Sequence, residues 1–158
     1  MVAREDDSAG VALPPPLVYL AALLAGVVLH RLVVRFALPL PATARIAGAA
    51  VAAGLGVVLM AGAVGGFRRT GQNPKPWTVT PEIITTGVYR FTRNPMYVAL
   101  ALVQVAFAIG LANGWILVFL PVVLGIVHVT AILPEEAYLE QKFGAPYVQY
   151  KQSVRRWL

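Results

Sequence analysis

The stretch from 98 to 134 contains no Lys, Arg, Asp or Glu, and its only turn signal is the pair Asn113-Gly114. An apolar α-helix needs about 20 residues to cross the hydrocarbon core of a bilayer. The stretch therefore predicts two antiparallel membrane helices, a third span over Met96–Ala112 and a fourth over Trp115–Leu133. Because the chain returns to the depth at which it entered, polar segments on either side of this hairpin should meet at one membrane face.

The composition of the whole chain also indicates a membrane protein. Hydrophobic residues make up 58% of the 158 residues and charged residues 13%, whereas a soluble domain carries roughly 25% charged residues. Two further apolar stretches, Pro15–Phe36 and Ile46–Phe67, predict the first and second spans, and the many small residues of the second favour close helix packing. We therefore predict an all-α integral membrane protein with about four transmembrane helices, preceded by a flexible tail over residues 1–14.

Charge and cysteine content narrow the function further. The chain has no cysteine, so disulfides and thiolate zinc sites are excluded. The net charge of +6 suits anionic lipid headgroups, and nucleic acid is an unsuitable partner because the basic residues flank apolar spans. Of the 13 Lys and Arg residues, only Arg31, Arg35 and Arg45 fall on the side opposite the termini. This asymmetry predicts cytoplasmic termini, and the lack of a signal-peptide pattern favours a bacterial inner membrane.

Two polar motifs flank the hairpin. Residues 87–97 read GVYRFTRNPMY, and residues 135–150 read EEAYLEQKFGAPYVQY. The hairpin should bring together, across about 10 Å, a guanidinium, an amide, a phenol and two carboxylates, namely Arg93, Asn94, Tyr97, Glu135 and Glu136. Ionisable groups near the bilayer are costly unless they are paired or functional. Such a set could bind a zwitterion.

A structural role for the same residues stays equally open on spacing alone. Pro134 could begin a new helix, whose first turn would favour Glu135 and Glu136, with Arg93 as an interfacial anchor. Within the spans, His128 is expected to be a structural hydrogen-bond partner. Gln104 is expected to join two helices.

The C-terminal segment shows a third pattern. Gly144 and Pro146 interrupt the preceding helix. Aromatic and apolar residues then recur at spacings of three, four and three, at Tyr147, Tyr150, Val154 and Trp157. The spacing predicts a short amphipathic helix at the membrane surface, with Lys151, Arg155 and Arg156 on its wetter sides.

Together, the two polar motifs resemble the isoprenylcysteine carboxyl methyltransferase and phospholipid methyltransferase superfamily. The shared pattern runs Gly-x-Tyr-x-x-x-Arg-His/Asn-Pro-x-Tyr and then Glu-Glu-x-x-Leu-x-x-x-Phe-Gly-x-x-Tyr-x-x-Tyr. The resemblance covers about residues 86–157, and the first half of the chain is similar only in being hydrophobic. It implies a single methyltransferase-like domain over 15–158, with S-adenosylmethionine bound by the part from about 86 to 157 at the cytosolic face.

The resemblance also implies which residues form the site. The expected cofactor-binding residues are Tyr89, Arg93, Asn94, Pro95, Tyr97, Glu135, Glu136, Tyr147 and Tyr150. Arg93 and Glu136 are expected to be catalytic, and no metal is expected. Asn94 stands where the isoprenylcysteine enzymes have histidine. An amide keeps a hydrogen bond but does not titrate near neutrality, which disfavours isoprenylcysteine itself as the acceptor.

The resulting prediction is an S-adenosylmethionine-dependent methyltransferase. Its acceptor would be a lipid-like or small hydrophobic molecule that offers a carboxylate, an amine or a thiol. Two alternatives stay open: an NADPH-dependent membrane reductase related to the sterol reductases, which resemble this superfamily in their C-terminal halves, and a non-catalytic membrane protein that retains the hairpin. Membrane lipids are expected partners, and the small-residue second span could support a homodimer.

Overall fold

The computed structural model describes residues 11, 13–71 and 80–158. This part of the chain is helical and contains no named strand, which confirms the all-α prediction. The helices are α1 Pro15–Val28, α2 Ala42–Arg69, α3 Pro95–Gly110, α4 Gly114–Val127, α5 Leu133–Phe143 and α6 Ala145–Ser153. The predicted tail over residues 1–14 lies almost wholly outside the described residues.

Among the described residues, three helical stretches are long and apolar enough to cross a membrane. A π-helical turn extends α1, so that the first stretch runs over Pro15–Val33, and α2 forms the second. The third runs over Gly114–Phe143, because a π-helical turn at His128–Ile132 joins α4 to α5 without a break. Helix α3 is apolar but has 16 residues, fewer than the ~20 of a full span. The chain is an integral membrane protein.

The sequence suggested that Pro134 could begin a new helix. In the structure, Pro134 lies inside a continuous helical stretch. Proline inside an α-helix removes one backbone hydrogen bond and its ring clashes with the preceding turn. Here the wider π-helical turn over His128–Ile132 ends two residues before Pro134, and such a turn changes the hydrogen-bond register. Glu135 and Glu136 therefore lie within a continuous helix, and the alternative in which they cap a free helix N-terminus does not apply.

Small residues set the helix packing. Helix α2 packs most extensively against α3, and α1 packs against α4. At Gly56 of α2, a Cβ atom would lie 3.1 Å from the Ala99 carbonyl oxygen of α3. This contact confirms the close packing predicted for the second span. Between α3 and α4, the buried Gln104 Nε2 donates to the Ile116 carbonyl at 3.0 Å, which confirms that Gln104 joins two helices.

Hydrogen bonds define the two ends of the bundle. At one end, the Tyr19 hydroxyl near the start of α1 donates to the Tyr97 carbonyl near the start of α3 at 3.0 Å. At the other end, Ala37 forms an antiparallel bridge with Asn113 in the α3–α4 turn. Asn113 also donates through Nδ2 to the Gly26 carbonyl at 3.0 Å. The predicted hairpin thus returns the chain to the end at which α1 and α3 begin.

The α1–α4 contact makes a testable prediction. A Cβ atom at Gly26 would lie 2.7 Å from Ile116 Cγ1 and 3.0 Å from the Ile116 backbone nitrogen. Gly26→Leu should therefore overpack this contact and destabilise the protein by about 1–3 kcal/mol, measured as a lower thermal unfolding midpoint in detergent. Gly54→Leu is the control, since a Cβ atom there meets nothing within 4 Å. Equal midpoints for the two variants would contradict the packing.

Candidate functional site

The site begins in the loop that leads into α3. Gly87 has φ +63°, a left-handed conformation that glycine adopts without strain, and it starts a 3₁₀ turn over Gly87–Arg90. The turn buries Tyr89, whose ring meets that of Phe67 edge-on with centroids 6.1 Å apart. This contact fixes the loop against the end of α2.

Asn94 and Pro95 form the junction between loop and helix. Pro95 is the first residue of α3, a position where its missing N–H is not needed. Asn94 is buried, its backbone N–H donates to Thr92 Oγ1 at 3.2 Å, and its Nδ2 donates to the Arg156 carbonyl at 2.9 Å. The Asn94 side chain therefore holds the C-terminal segment in place.

A buried ionic cluster lies next to this junction. Arg93 Nη1 is 2.8 Å from Glu136 Oε1, and the two side chains are 9% and 8% exposed. Arg156 contacts both oxygens of the same carboxylate, with Nε 2.9 Å from Oε1 and Nη2 2.8 Å from Oε2. Glu136 thus lies between two guanidinium groups, and a bidentate pair of this kind fixes the orientation of both partners.

A second polar pair extends the cluster along the helix. The Tyr97 hydroxyl donates to Glu135 Oε1 at 2.5 Å. Glu135 accepts this hydrogen bond through Oε1, and its Oε2 takes no part in the bond. The structure therefore brings Arg93, Tyr97, Glu135 and Glu136 together at one end of the hairpin, as their spacing predicted.

The C-terminal residues differ from the prediction. Helix α6 ends at Ser153, and Val154 has extended backbone angles of φ −127° and ψ 133°. The prediction that this helix continues to Trp157 is therefore wrong. Residues 154–158, here called the C-terminal strap, run past the loop before α3. The Arg93 N–H donates to the Arg155 carbonyl at 3.0 Å, and Thr92 Oγ1 donates to the Arg156 carbonyl at 3.2 Å. These long-range bonds replace the local bonds of a longer helix.

Tyr147 and Tyr150 are buried on one side of α6, with ring centroids 6.2 Å apart. The Tyr150 hydroxyl donates to the Tyr89 carbonyl at 2.8 Å, so Tyr150 holds α6 against the loop. Burial, followed by the negative charge of Glu136, raises the pKa of Tyr147 to about 12. A phenol is protonated at neutral pH even at its ordinary pKa of ~10, and burial keeps it so here, which leaves the Tyr147 O–H as a hydrogen-bond donor.

Arg156 is the residue of this cluster that sequence reasoning missed. The apolar spacing around it placed it on the wet side of a helix, whereas the strap turns it towards Glu136. The sequence did contain a signal for a second cation. Two adjacent glutamates and one arginine were expected in the cluster, which leaves one carboxylate without a cationic partner. Thr92, also missed, is 1% exposed and contacts both Asn94 and the strap.

The cluster offers both donors and acceptors to a ligand. Within the described part of the chain, Arg93 Nε is buried without a hydrogen-bond partner, and Arg93 Nη1 contacts Glu136 without hydrogen-bond geometry. A guanidinium in this state can still bind a carboxylate. The described residues contain no group of three or more His, Cys, Asp or Glu side chains that could hold a metal ion.

Apolar helices with a buried charged cluster at one end define an integral membrane protein with a polar site near one end of its spans. Residues 44–146 match the sequence profile of the phospholipid methyltransferase family, and the chain belongs to this family. The match begins in α2, so it extends into the first half of the chain, beyond the region that carries the two motifs. It ends before the strap, so Arg156 lies outside the matched region.

The chain is 40% identical over 63 residues to an uncharacterized protein of Haemophilus influenzae, which is covered over its full length and matches 40% of this chain. No solved structure matches.

Proposed function

We propose that the protein transfers a methyl group from S-adenosylmethionine to a lipid-like or small hydrophobic acceptor that carries a carboxylate, an amine or a thiol. One observation supports this function above the others. In a chain of the phospholipid methyltransferase family, the Arg93–Glu136 pair lies beside the Tyr97–Glu135 pair at the end of the apolar hairpin. A membrane-soluble acceptor and a polar methyl donor could meet at such a position.

The residues present fit this cofactor by their chemistry. S-Adenosylmethionine carries a carboxylate, an ammonium group and ribose hydroxyls. Arg93, with its buried Nε unpartnered among the described residues, would hold the carboxylate. Glu135 would accept from the ammonium or from a ribose hydroxyl, and Tyr147 would donate a further hydrogen bond. Four further residues were predicted to bind the cofactor, and we assign them supporting roles: Tyr89, Asn94, Pro95 and Tyr150. Asn94 holds the strap, and Tyr150 holds α6 against the loop at Tyr89.

The cofactor, when bound, supplies a methyl group on a sulfonium. What the chain has to contribute is proximity and alignment, which can lower a barrier by about 7–11 kcal/mol. Arg93 orients the donor, and the strap, together with α6, would exclude water from it. An amine acceptor must first lose a proton, and Glu135 would hold that proton on the oxygen outside its bond with Tyr97.

Glu136 takes a different part in this proposal. Both of its oxygens contact Arg156, and one also contacts Arg93. Glu136 would therefore position Arg93 instead of reacting itself, and of the two acids Glu135 is the better candidate for proton transfer. The catalytic role predicted for Glu136 stays a prediction.

We also propose that the site faces the cytoplasm. The starts of α1 and α3 share the end of the bundle that carries the cluster. Arg31, Arg35 and Arg45 belong to the opposite end, where Arg45 Nη2 donates to the Gly110 carbonyl at 2.6 Å. The greater number of Lys and Arg residues on the site side favours a cytoplasmic location, in a bacterial inner membrane.

Calorimetric titration of the detergent-purified protein with S-adenosylmethionine tests the cofactor assignment. We expect micromolar binding of the cofactor and of its demethylated product. Arg93→Gln should weaken binding at least tenfold, or about 1.4 kcal/mol, because the carboxylate of the cofactor loses its guanidinium partner. Arg90→Gln is the matched control, since Arg90 is exposed and lies three residues away in the same motif.

The same titration separates the alternative functions. If the folded protein binds NADPH and not S-adenosylmethionine, the reductase related to sterol reductases replaces the methyltransferase. If it binds neither, the non-catalytic membrane protein is favoured. If Arg93→Gln and Arg90→Gln bind alike, Arg93 does not hold the cofactor.

A further inference from the structure

An exposed patch lies next to the charged cluster, where the loop before α3 meets the strap. The Arg93 N–H donates to the Arg155 carbonyl at 3.0 Å, and this bond brings Arg155 to the loop that carries Arg90 and Phe91. Phe91 is 74% exposed, and both arginines are exposed as well. The residues Arg90, Phe91 and Arg155 are here called the rim patch.

The charges of the rim patch are not neutralised within the described part of the chain. Neither Arg90 nor Arg155 has a side-chain ion pair or hydrogen bond there. At this end of the bundle, the described residues include eight Lys and Arg side chains and four Glu side chains. Glu136 is already held between two guanidinium groups, and Glu140 is paired with Lys151. The end that carries the site therefore has a surplus of positive charge.

The position of the patch along the chain sets its depth in the membrane. Pro95, four residues after Phe91, begins the apolar helix α3, so the loop lies where the hydrocarbon core ends. Aromatic side chains concentrate at this boundary, and Lys and Arg side chains extend from it to the lipid headgroups. An exposed phenylalanine next to two unpaired arginines therefore matches a bilayer interface better than bulk water.

The phosphate of an anionic lipid is a suitable partner for the two arginines. A guanidinium group binds phosphate through two parallel hydrogen bonds. Each Lys or Arg near an anionic leaflet strengthens the attraction about fivefold. Because Arg90 belongs to the loop and Arg155 to the strap, one headgroup bound by both would join the two segments. The same segments carry Arg93 and Arg156, which both contact Glu136.

We propose that the rim patch binds the phosphate of an anionic lipid, with Phe91 inserted among the lipids, and that this contact fixes the strap against the loop and tightens cofactor binding. The strap holds Arg156 against Glu136, and Glu136 positions Arg93. A bilayer rich in anionic lipid therefore activates the enzyme, and the bound cofactor in turn strengthens the lipid contact by the same factor. This inference rests on the proposed function, because it assumes that Arg93 binds the cofactor.

Thermal unfolding without cofactor tests the lipid contact. The detergent-purified protein is mixed with dioleoyl phosphatidylglycerol, which is anionic, or with dioleoyl phosphatidylcholine, which has a phosphate but no net charge. The anionic lipid should raise the unfolding midpoint of the wild type more than the neutral lipid does. Arg90→Gln/Arg155→Gln should lose this difference. Arg69→Gln, which removes an exposed arginine at the end of α2, should keep it, and equal losses in both variants would assign the effect to general surface charge and overturn the patch.

Calorimetry in lipid nanodiscs tests the coupling to the site. The titrant is the demethylated product, which has no net charge, because S-adenosylmethionine is a cation and concentrates at any anionic surface. The wild type should bind the product at least fivefold more tightly in discs that contain phosphatidylglycerol than in discs of phosphatidylcholine alone, the lower end of allosteric couplings. Arg155→Gln should lose this gain, and Arg69→Gln should keep it.

A soluble phosphate ester is the competing source of the same chemistry. Glycerol phosphate, added to the protein in detergent, should neither raise the unfolding midpoint nor tighten product binding, since it has no acyl chains to hold it beside Phe91. If it reproduces both effects, the patch is a site for a soluble anion and the lipid assignment fails. Phe91→Ser should weaken the response to phosphatidylglycerol, and an unchanged response would remove Phe91 from the contact.

The two readouts keep this inference distinct from the proposed function. If the product and S-adenosylmethionine bind equally well in both kinds of disc, the regulation by lipid fails while the methyltransferase stands. If phosphatidylglycerol stabilises the protein through the patch but neither compound binds in any bilayer, the proposed function fails, and the regulatory role of the patch fails with it.

Discussion

Glu136→Gln should both destabilise the protein and abolish cofactor binding. The substitution leaves Arg93 and Arg156 close together without the carboxylate that joins them. Breaking a buried ion pair by removing one partner costs about 3–5 kcal/mol, because an uncompensated charge stays buried. We expect a correspondingly lower thermal unfolding midpoint in detergent and no measurable calorimetric binding of S-adenosylmethionine.

A matched control and a rescue variant make this prediction specific. Glu140→Gln changes the same residue type in the same helix, but the Glu140–Lys151 pair is solvent-exposed at 46% and 31%, so its loss should cost at most about 1 kcal/mol. In Glu136→Gln/Arg156→Gln, one stranded guanidinium is removed, and stability should partly recover. If the loss of stability in the double variant equals the sum of the losses in the two single variants, the two residues are not coupled, and the contact between Glu136 and Arg156 does not stabilise the protein.

The central part of this architecture was predictable because it depends on local properties. The absence of charge over 98–134 predicted the hairpin, and Asn113 predicted the position of the turn. In the structure, the Asn113 side chain accepts a hydrogen bond from the Trp115 N–H in this turn. The hairpin alone then implied that Arg93 and Glu136 would meet. Their contact in the structure follows from topology, without any knowledge of how the side chains pack.

The remaining features depend on contacts between distant parts of the chain. Arg156 reaches Glu136 because the strap is held by Asn94, 62 residues earlier, and helical spacing carries no information about such a bond. The continuous helix through Pro134 depends on a π-helical turn, whereas proline rules predict a break. The family match also includes most of α2, a helix of mostly small apolar residues in which the sequence shows no motif.

Glu135→Gln should separate chemistry from binding. The amide keeps a hydrogen-bonding oxygen for the Tyr97 hydroxyl but no longer takes up a proton. With an amine acceptor, kcat should fall by about 10²- to 10⁴-fold, the usual contribution of a general base. The calorimetric affinity for S-adenosylmethionine should fall less, by about tenfold, because the amide oxygen still accepts a hydrogen bond from the cofactor but carries no charge. Glu140→Gln again serves as the control, and an unchanged kcat for amine, thiol and carboxylate acceptors alike would remove Glu135 from the reaction.

The size of this loss identifies the accepting atom. An alkyl amine has a pKa near ~10.4 and is protonated at pH 7, a thiol near ~8.5 is mostly protonated, and a carboxylic acid near ~4 is already ionised. The need for a base therefore decreases from amine to thiol to carboxylate. Methyl transfer to an amine should depend strongly on Glu135, and transfer to a carboxylate should survive Glu135→Gln almost unchanged. Comparing the three acceptor types with wild type and variant thus tests the role of Glu135 and defines the acceptor chemistry together.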